Sequence, residues 1–236
     1  MDGLLPMVPH RQWVLVLPKR LRYFVHRNPV LAGEISRILG GALARFYRER
    51  SMTEGRLRLD KAAAPGLVVV VQRFGERVNR HVHFHVAASD GLFALESKGR
   101  LAFHPCPEPT LEDVERLRDV LRRKILRRMA KLKALPEESV AEMLARPHGG
   151  FSLDASVRVE ALDRRGLERL LRYVLRPAVS LKRLSYLPER SMVRYRPRKG
   201  DGDVLEWEAA QFLRRFAELI PPPRKHLVRY AGALGP

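Results

Sequence analysis

The chain has 236 residues, enough for one large domain or two small ones with a buried core. Lys and Arg number 45 against 26 Asp and Glu, a formal net charge of +19 with His neutral, and 45% of the residues are hydrophobic. This apolar content excludes a disordered basic tail, and the charge favours a DNA or RNA partner over an anionic membrane surface. The single cysteine, Cys106, excludes a disulfide framework and a cysteine-based zinc cluster and favours a reducing compartment.

The sequence carries no signal for export or for membrane insertion. Its first residues lack a basic region followed by an apolar one, and the longest aliphatic run, residues 67–71, is far shorter than a membrane span. We therefore expect a cytoplasmic protein that associates with the nucleoid when it is bound to DNA.

The first half of the chain predicts a sheet with one long helix. Residues 12–17 form a β-branched, aliphatic strand that ends at Pro18, and a helix begins after Asn28 and runs to about Arg48. The polar stretch 50–65 is predicted to be loop. An antiparallel meander follows, with strands at 67–74, 80–88, 92–96 and 101–103.

The second half predicts mostly helices. Thr110 and Asp113 form a capping-box pattern that starts a helix to about Leu132. Its bases crowd the last turns, which suits the helix dipole and equally allows a phosphate-binding face. The candidate phosphate-binding residues there are Arg122, Arg123, Lys124, Arg127 and Arg128.

Shorter elements complete the prediction. A helix at 139–145 is followed by an inner boundary near 147–150 and a strand around 157–159. A helix then runs from Asp163 to Leu175, and a strand at 192–195 and a helix at 208–219 precede a break at three prolines.

Three histidines alternate along the strand predicted at 80–88. In the segment HVHFHVAASDG, His81, His83 and His85 are two residues apart, so their imidazoles emerge on one face of a strand. Two rings spaced in this way can converge on one metal ion. The pattern therefore favours a metal site over a row of exposed histidines packed on a neighbouring strand.

This strand resembles two families that act on phosphates. In the histidine-triad nucleotide hydrolases a histidine attacks a phosphate without metal. In the HUH endonucleases a His-hydrophobic-His pair holds a divalent ion against a scissile DNA phosphate. The strand alone leaves both interpretations open.

The helix predicted at 163–175 carries a tyrosine outside its apolar arc. Tyr173 lies on the polar side of this helix with Arg169, Arg172 and Arg176. Cations favour the phenolate form of tyrosine and attract a phosphodiester, and a nucleophile that attacks phosphorus needs both. The alternative is an edge tyrosine among solvated arginines.

Four segments together resemble one family. VPHRQWVLVLPKRLRYFVHRNPVL, VNRHVHFHVAASDGLF, LLRYVLRPAVSLKRL and PPPRKHLVRYAGALGP resemble, in the same order, the insertion-sequence-91-type transposases, which are rolling-circle enzymes of the HUH superfamily. The resemblance implies an α+β fold in which helices flank an antiparallel sheet, the RRM-like HUH palm. It places the catalytic core at 1–183, with a sheet-and-helix part at 1–148 and the tyrosine helix at 149–183, and leaves 184–236 as a small basic C-terminal extension.

The resemblance also implies a mechanism. His83 and His85 would hold Mg²⁺ or Mn²⁺, although imidazole ligands by themselves favour Zn²⁺. Tyr173 would attack a phosphodiester of single-stranded DNA, at transposon ends and targets, and form a 5′-phosphotyrosine intermediate in DNA transposition and recombination. Arg169, Arg172 and Arg176 would bind DNA. The third metal ligand is left open among His81, Gln72, Glu76 and Asp90.

Two departures from the family define the expected variant. The position four residues before Tyr173 is Arg169, so the chain resembles the single-tyrosine branch. No cysteines precede the RQW segment, so we expect a variant that lacks the N-terminal zinc-binding region. The first alternative is a truncated, inactive transposase that only binds single-stranded DNA, and the second is a histidine-triad nucleotide hydrolase.

Overall fold

The computed structural model describes residues 5–53, 62–96, 99–198 and 202–235. The helices are α1 (Lys19–Arg27), α2 (Pro29–Thr53), α3 (Leu111–Lys131), α4 (Glu137–Ala145), α5 (Arg164–Val174) and α6 (Ala209–Leu219). The strands are β1 (His10–Val16), β2 (Gly66–Phe74), β3 (Arg80–Ser89), β4 (Gly91–Leu95), β5 (Leu101–Pro105), β6 (Ser152–Asp154), β7 (Arg158–Val159), β8 (Leu184–Leu187), β9 (Met192–Tyr195), β10 (Leu205–Glu208) and β11 (Val228–Gly232).

A six-stranded antiparallel sheet forms the centre of the fold. Its strand order is β11, β2, β3, β1, β6, and β7 also pairs with β1. Strand β3 is paired on both sides, with Val14 of β1 and Val70 of β2 both opposite His85. Because side chains alternate along a strand, this register fixes which residues of the three central strands share a face.

The two faces of the sheet are covered by different helices. On one face, Trp13, Phe84 and Val69 belong to the main core, to which α1, α2 and α3 also contribute their buried side chains. On the other face, Leu167 and Leu170 of α5 pack against Val68, Val70 and Ala87. The alternation of β3 puts His81, His83 and His85 on the same face as Ala87 and therefore as α5.

Local sequence explains how α5 begins and which side it buries. The side chain of Asp163 accepts a hydrogen bond from the backbone N–H of Gly166 and caps the helix. Leu167, Leu170 and Val174 recur at helical spacing and are buried. Tyr173 lies next to this apolar stripe, at the last turn of the helix and near the sheet.

The chain beyond α5 returns to the central sheet. Strands β8, β9 and β10 form a separate three-stranded sheet, and together with α6 they bury Val193, Tyr195 and Phe212 against Phe74 and Val78. Strand β11 then pairs with residues 66–70 of β2. The segment 184–236, interpreted from the sequence as an extension, thus contributes an edge strand to the core.

The α+β prediction is confirmed, and the strands at 67–74 and 80–88 and the helices after Thr110 and Asp163 form within two residues of their predicted bounds.

The predicted four-stranded meander is wrong. Strands β4 and β5 form their own two-stranded sheet because both edges of β3 are already taken, by β2 and by β1. Helix α1 was not predicted, and α2 extends to Thr53 into the predicted loop, of which residues 54–61 lie outside the described part of the chain.

Candidate active site between the histidine strand and the tyrosine helix

The three histidine rings of β3 form a continuous row under α5. The ring centroids of His81 and His83 are 5.0 Å apart, and those of His83 and His85 are 4.8 Å apart. His85 is the most buried, with 2% of its surface exposed, whereas His81 and His83 are partly exposed. The strict alternation in the sequence is thus what brings the rings together.

The ring nitrogens of His83 and His85 have different neighbours. Nδ1 of His83 donates to the backbone carbonyl of His81 at 2.9 Å, which leaves the Nε2 lone pair free to bind a ligand. Nδ1 of His85 lies 2.9 Å from the side-chain amide nitrogen of Gln12. In this orientation the amide nitrogen donates to Nδ1, so the proton of the neutral ring is on Nε2. Turning the Gln12 amide by 180° would let Nδ1 donate to the amide oxygen and free the Nε2 lone pair for a ligand.

Burial keeps these imidazoles neutral. Desolvation, reinforced by the His83 ring and by Arg176, lowers the pKa of His85 to about 3. Desolvation also lowers the pKa of His81 to about 4 and that of His83 below its ordinary value. A neutral imidazole is the form that binds a metal ion, so the row is suited to ligation at neutral pH.

Tyr173 reaches the histidine row from α5. Its ring meets the ring of His85 edge to face, with centroids 5.7 Å apart and planes at 87°. The tyrosine is partly exposed, so part of its side chain remains accessible from solvent. The sequence predicted both residues as candidates, and the structure brings them into contact.

Gln72 connects the tyrosine helix to the histidine strand. It lies opposite His83 in the register of β2 and β3. Its amide nitrogen donates to the carbonyl of Val174 at 2.5 Å, at the end of α5. Its amide oxygen is buried and has no hydrogen-bond partner among the described residues, so this oxygen is free to accept a hydrogen bond or to bind a cation.

Two guanidinium groups flank the ring of Tyr173. The Cζ atom of Arg176 is 5.2 Å from the ring centroid, and that of Arg198 is 5.1 Å from it. Arg176 also donates to Oε1 of Glu76 at 2.7 Å. Arg198 follows β9 and was not predicted as a site residue, because nothing in its local sequence separates it from the many other arginines.

The donors present fit a divalent cation. The Nε2 atoms of His81 and His85 and the Oε1 atom of Gln72 are buried without partners among the described residues, and buried polar atoms of this kind are expected to find a ligand. Within the same residues, no three His, Cys, Asp or Glu side chains are positioned to hold one ion together. A site with three protein ligands would therefore need a donor from outside these four residue types, and the buried amide oxygen of Gln72 is a candidate.

The candidates for third ligand lie in different places. Gln72 lies opposite His83 in the sheet, and the ring of His81 is next to that of His83. Glu76 is bound to Arg176 through one carboxylate oxygen, and its second carboxylate oxygen is buried without a partner in the described chain. Asp90 does not belong to this site. It lies at the far end of β3, where Arg11 binds both of its oxygens at 3.0 Å and Arg158 binds one at 2.9 Å.

Asp90 belongs to a buried network that includes two residues of the RQW segment. Arg11 reaches Asp90, Trp13 donates to the hydroxyl of Tyr47 at 3.1 Å, and that hydroxyl donates to Asp90 at 3.2 Å. Burial raises the pKa of Tyr47 well above its usual value. The remaining residue of the segment, Gln12, faces the opposite side of the sheet and contacts His85.

The arginines predicted to surround Tyr173 divide into two groups. Arg176 contacts the ring, as described above. Arg169 and Arg172 are exposed and pair with carboxylates of their own helix region, Asp163 and Glu168. Their exposed side chains are accessible to a DNA backbone, but they do not contact the ring of Tyr173.

The predicted phosphate-binding face of α3 is partly used for folding. Arg122 is 8% exposed and donates to the backbone carbonyls of Met143, Leu144 and Arg146, so its assignment to DNA binding is corrected to a role in holding the end of α4. Arg128 pairs with Glu34 at 2.7 Å. The remaining candidates, which are exposed, are Arg123, Lys124 and Arg127.

Helix α3 also lies away from the histidine row. Its buried residues, among them Leu121 and Ile125, belong to the core on the other face of the sheet. The exposed bases of α3 are therefore not part of the site around Tyr173.

Comparison with known proteins identifies the family. Residues 66–235 match the family model Y2_Tnp, described as "putative transposase", and this match spans most of the chain, from β2 to β11. The protein belongs to this transposase family, and its partner is accordingly DNA. No curated protein and no solved structure matches it. Among the described residues, no helix is both long and apolar enough to cross a lipid bilayer.

Proposed function

We propose that this transposase nicks single-stranded DNA through a covalent tyrosine intermediate, in the manner of the single-tyrosine HUH enzymes it resembles. The observation that supports this most directly is the contact between Tyr173 and His85, whose rings are 5.7 Å apart. A candidate nucleophile and a row of neutral imidazoles, distant in the sequence, lie on the same face of one sheet. Nucleophile and metal ligands need this proximity to act on one phosphate.

In the proposed reaction the phenol oxygen of Tyr173 attacks the scissile phosphorus and loses its proton. The bond between phosphorus and the 3′-oxygen breaks, and that oxygen leaves as a 3′-hydroxyl after it takes up a proton. The new ester is a 5′-phosphotyrosine, which preserves the energy of the phosphodiester for a later strand-transfer step. With Arg169 four residues before Tyr173, one tyrosine per chain forms this intermediate.

His83 and His85 would hold Mg²⁺ or Mn²⁺, and we propose Gln72 Oε1 as the third protein ligand because it is buried without a partner among the described residues. The cation, when bound, supplies Lewis-acid polarisation of the scissile phosphate. Gln72 has a second task, because its amide nitrogen holds the end of α5 and thereby the position of Tyr173. Gln12 orients His85 from the neighbouring strand.

Arg176 and Arg198 would bind the phosphodiester on either side of the tyrosine ring. Two guanidinium groups stabilise charge on the phosphate as Tyr173 attacks, and they bind the resulting phosphotyrosine. Arg176 is itself held by Glu76, so its position is preorganised. The net charge of +19 supplies the wider, salt-sensitive attraction to single-stranded DNA.

The test is to look for the covalent adduct on single-stranded DNA that carries candidate transposon ends. Wild-type protein, Tyr173→Phe and the control Tyr186→Phe, an exposed tyrosine in β8, are incubated with DNA labelled at its 5′ or 3′ end and Mn²⁺. We expect a detergent-resistant adduct that carries the 3′ label, together with a free 5′-labelled fragment. The adduct should require metal, survive Tyr186→Phe and disappear in Tyr173→Phe.

Two outcomes would contradict the proposal. Tight, salt-sensitive binding with no adduct on any end would indicate a transposase that binds DNA without cutting it. Turnover of mononucleotides without metal and without dependence on Tyr173 would indicate a nucleotide hydrolase.

A further inference from the structure

An apolar cavity lies beside the tyrosine helix, at the end of β2. Its volume is about 470 Å³, which is typical of sites for small molecules. The pairing of β11 with β2 ends at Val70. Beyond that point, the last residues of β2, the segment after α5 and helix α6 line the cavity, which is open to solvent on one side.

The walls of this cavity suit a flat ring. Phe212 and Phe216, one turn apart on α6, are stacked with planes at 8° and centroids 6.1 Å apart, and both line the cavity. Leu181 and Leu213 stand at its rim and are exposed, Leu213 by 62%. Aromatic and aliphatic walls of this kind bind nucleobases by stacking, whatever the base.

Two arginines add polar groups to the apolar walls. Arg73 and Arg176 both line the cavity, and the Nε atom of each is buried without a hydrogen-bond partner among the described residues. Arg73 is only 7% exposed. Two such unsatisfied donors next to an apolar slot match a ligand that is flat and carries acceptor atoms at its edge.

Arg176 links the cavity to the candidate active site. Its guanidinium lies 5.2 Å from the centre of the Tyr173 ring and 5.3 Å from that of Phe74 in the cavity wall. A single side chain therefore separates the two. On a DNA strand whose phosphate lies at Tyr173, a neighbouring base is within reach of the cavity.

We propose that this cavity binds an unpaired nucleobase of single-stranded DNA, from a nucleotide next to the phosphate at Tyr173. The substrate class rests on the proposed function. The nearby surface supports a polyanion as occupant, because a second depression beside α6 is lined by Arg80, Arg214 and Arg215. One carboxylate, Glu218, also lines it and pairs with Arg80, so the depression keeps an excess of positive charge. The base enters the cavity while the sugar and phosphate stay outside with Tyr173, Arg176 and Arg198.

Base capture can be measured apart from cleavage. In a Tyr173→Phe background, fluorescence anisotropy compares the affinity for oligo(dT) with that for an abasic oligomer of equal length at the same salt concentration. We expect the background protein to prefer oligo(dT) by about tenfold. Phe216→Ala and, separately, Leu213→Ala should reduce this preference about threefold or more, with little change in the affinity for the abasic oligomer.

Leu111→Ala is the matched control, because Leu111 is exposed at the start of α3, away from the cavity. Its preference for bases should equal that of the background protein. Leu213 is a rim residue, so its variant tests the cavity even if Phe216→Ala fails to fold. Photocrosslinking with 5-iodouracil should label α6 or the segment after α5.

The proposal is overturned if both variants keep the full preference for bases, or if the crosslinks map to α3 instead. It is also overturned if the variants change only the association state in sedimentation, which would make the cavity a contact between copies of the chain. Adduct formation is measured separately, in protein that keeps Tyr173. If that adduct forms normally while the cavity variants keep the full preference for bases, only the base site is removed. A lost preference without any adduct removes only the nicking mechanism.

Discussion

The side-chain amide of Gln12 lies 2.9 Å from Nδ1 of His85, across the pairing of β1 with β3. Gln12 is directly opposite Ala87 in the register, so its side chain reaches diagonally to the neighbouring histidine on the same face. The contact fixes the orientation of a buried imidazole whose Nε2 has no other partner among the described residues.

Gln12→Ala should weaken metal binding. Loss of the group that orients a histidine ligand typically costs 10- to 100-fold in affinity, so the Mn²⁺ concentration for half-maximal adduct formation should rise by about that factor. Saturating Mn²⁺ should restore most of the rate. Gln211→Ala, at an exposed position of α6, is the control, and an unchanged Mn²⁺ dependence in Gln12→Ala would contradict the assignment.

Arg198→Ala should slow adduct formation about tenfold or more at saturating DNA, because one of the two guanidinium groups beside Tyr173 is lost. Arg198→Lys should recover only part of the rate, since an ammonium lacks the planar, bidentate geometry. Arg196→Ala removes an exposed charge two residues away and serves as control. If Arg196→Ala and Arg198→Ala slow adduct formation equally, Arg198 contributes only its positive charge and not a specific contact with the phosphate.

Asp90→Ala should destabilise the fold without acting on the histidine site. It removes the carboxylate that binds two nitrogens of Arg11, which is 1% exposed and keeps Glu108 at 3.3 Å as a charged partner. Breaking a buried ion pair in this way costs about 3–5 kcal/mol. Urea denaturation measures the loss. A variant that stays as stable as wild type but loses Mn²⁺ affinity would instead return Asp90 to the list of metal ligands.

Arg122→Met should lower the free energy of unfolding by about 1–3 kcal/mol, because three backbone carbonyls lose their donor. The salt dependence of DNA binding should not change. Arg123→Met, at the exposed neighbouring position, should leave stability unchanged. The reverse pattern, with a smaller salt slope for Arg122→Met and no loss of stability, would support a phosphate contact for Arg122.

His10→Asn should flatten the pH dependence of stability. Burial, together with Arg164, lowers the pKa of His10 below 6.5, against the opposing effects of the Val8 carbonyl and Asp90. Between the folded pKa and 6.5 the unfolded chain binds more protons, so His10 adds stability above pH 6.5 that is lost as the pH falls. Urea titrations of metal-free protein at pH 5 and pH 7 should show a smaller difference for the variant.

Much of the site was predictable because its signals are local. Alternation places His81, His83 and His85 on one face of any strand. Helical spacing singled out Tyr173 but put it on the polar side of α5, whereas its ring packs beside the buried stripe and against His85. Capping residues likewise mark where α3 and α5 begin, since Thr110 and Asp163 satisfy backbone donors within their own turns.

Roles that depend on distant neighbours could not be predicted in this way. In the sequence, Arg122 is one of several bases in a basic helix. Its role follows from the hydrogen bond it donates to the backbone at the end of α4. Asp90 reads as a free carboxylate near the histidines until Arg11 and Arg158 are found on it. In each case the partner that decides the role is far away in the sequence.

The sequence by itself determined the fold class, the basic character, the histidine row and the tyrosine helix, because composition and short-range periodicity set which surfaces are buried. Only the tertiary structure decided what those elements face. The pairing of β1 with β3 brings Gln12 to His85, and the pairing of β2 with β3 places Gln72 opposite His83. The packing of α5 brings Tyr173 to His85, and the course of the chain after β9 brings Arg198 to the tyrosine. Such contacts depend on the strand order and on how the helices pack. The same local sequence patterns are compatible with several strand orders and packings, so they do not determine these contacts.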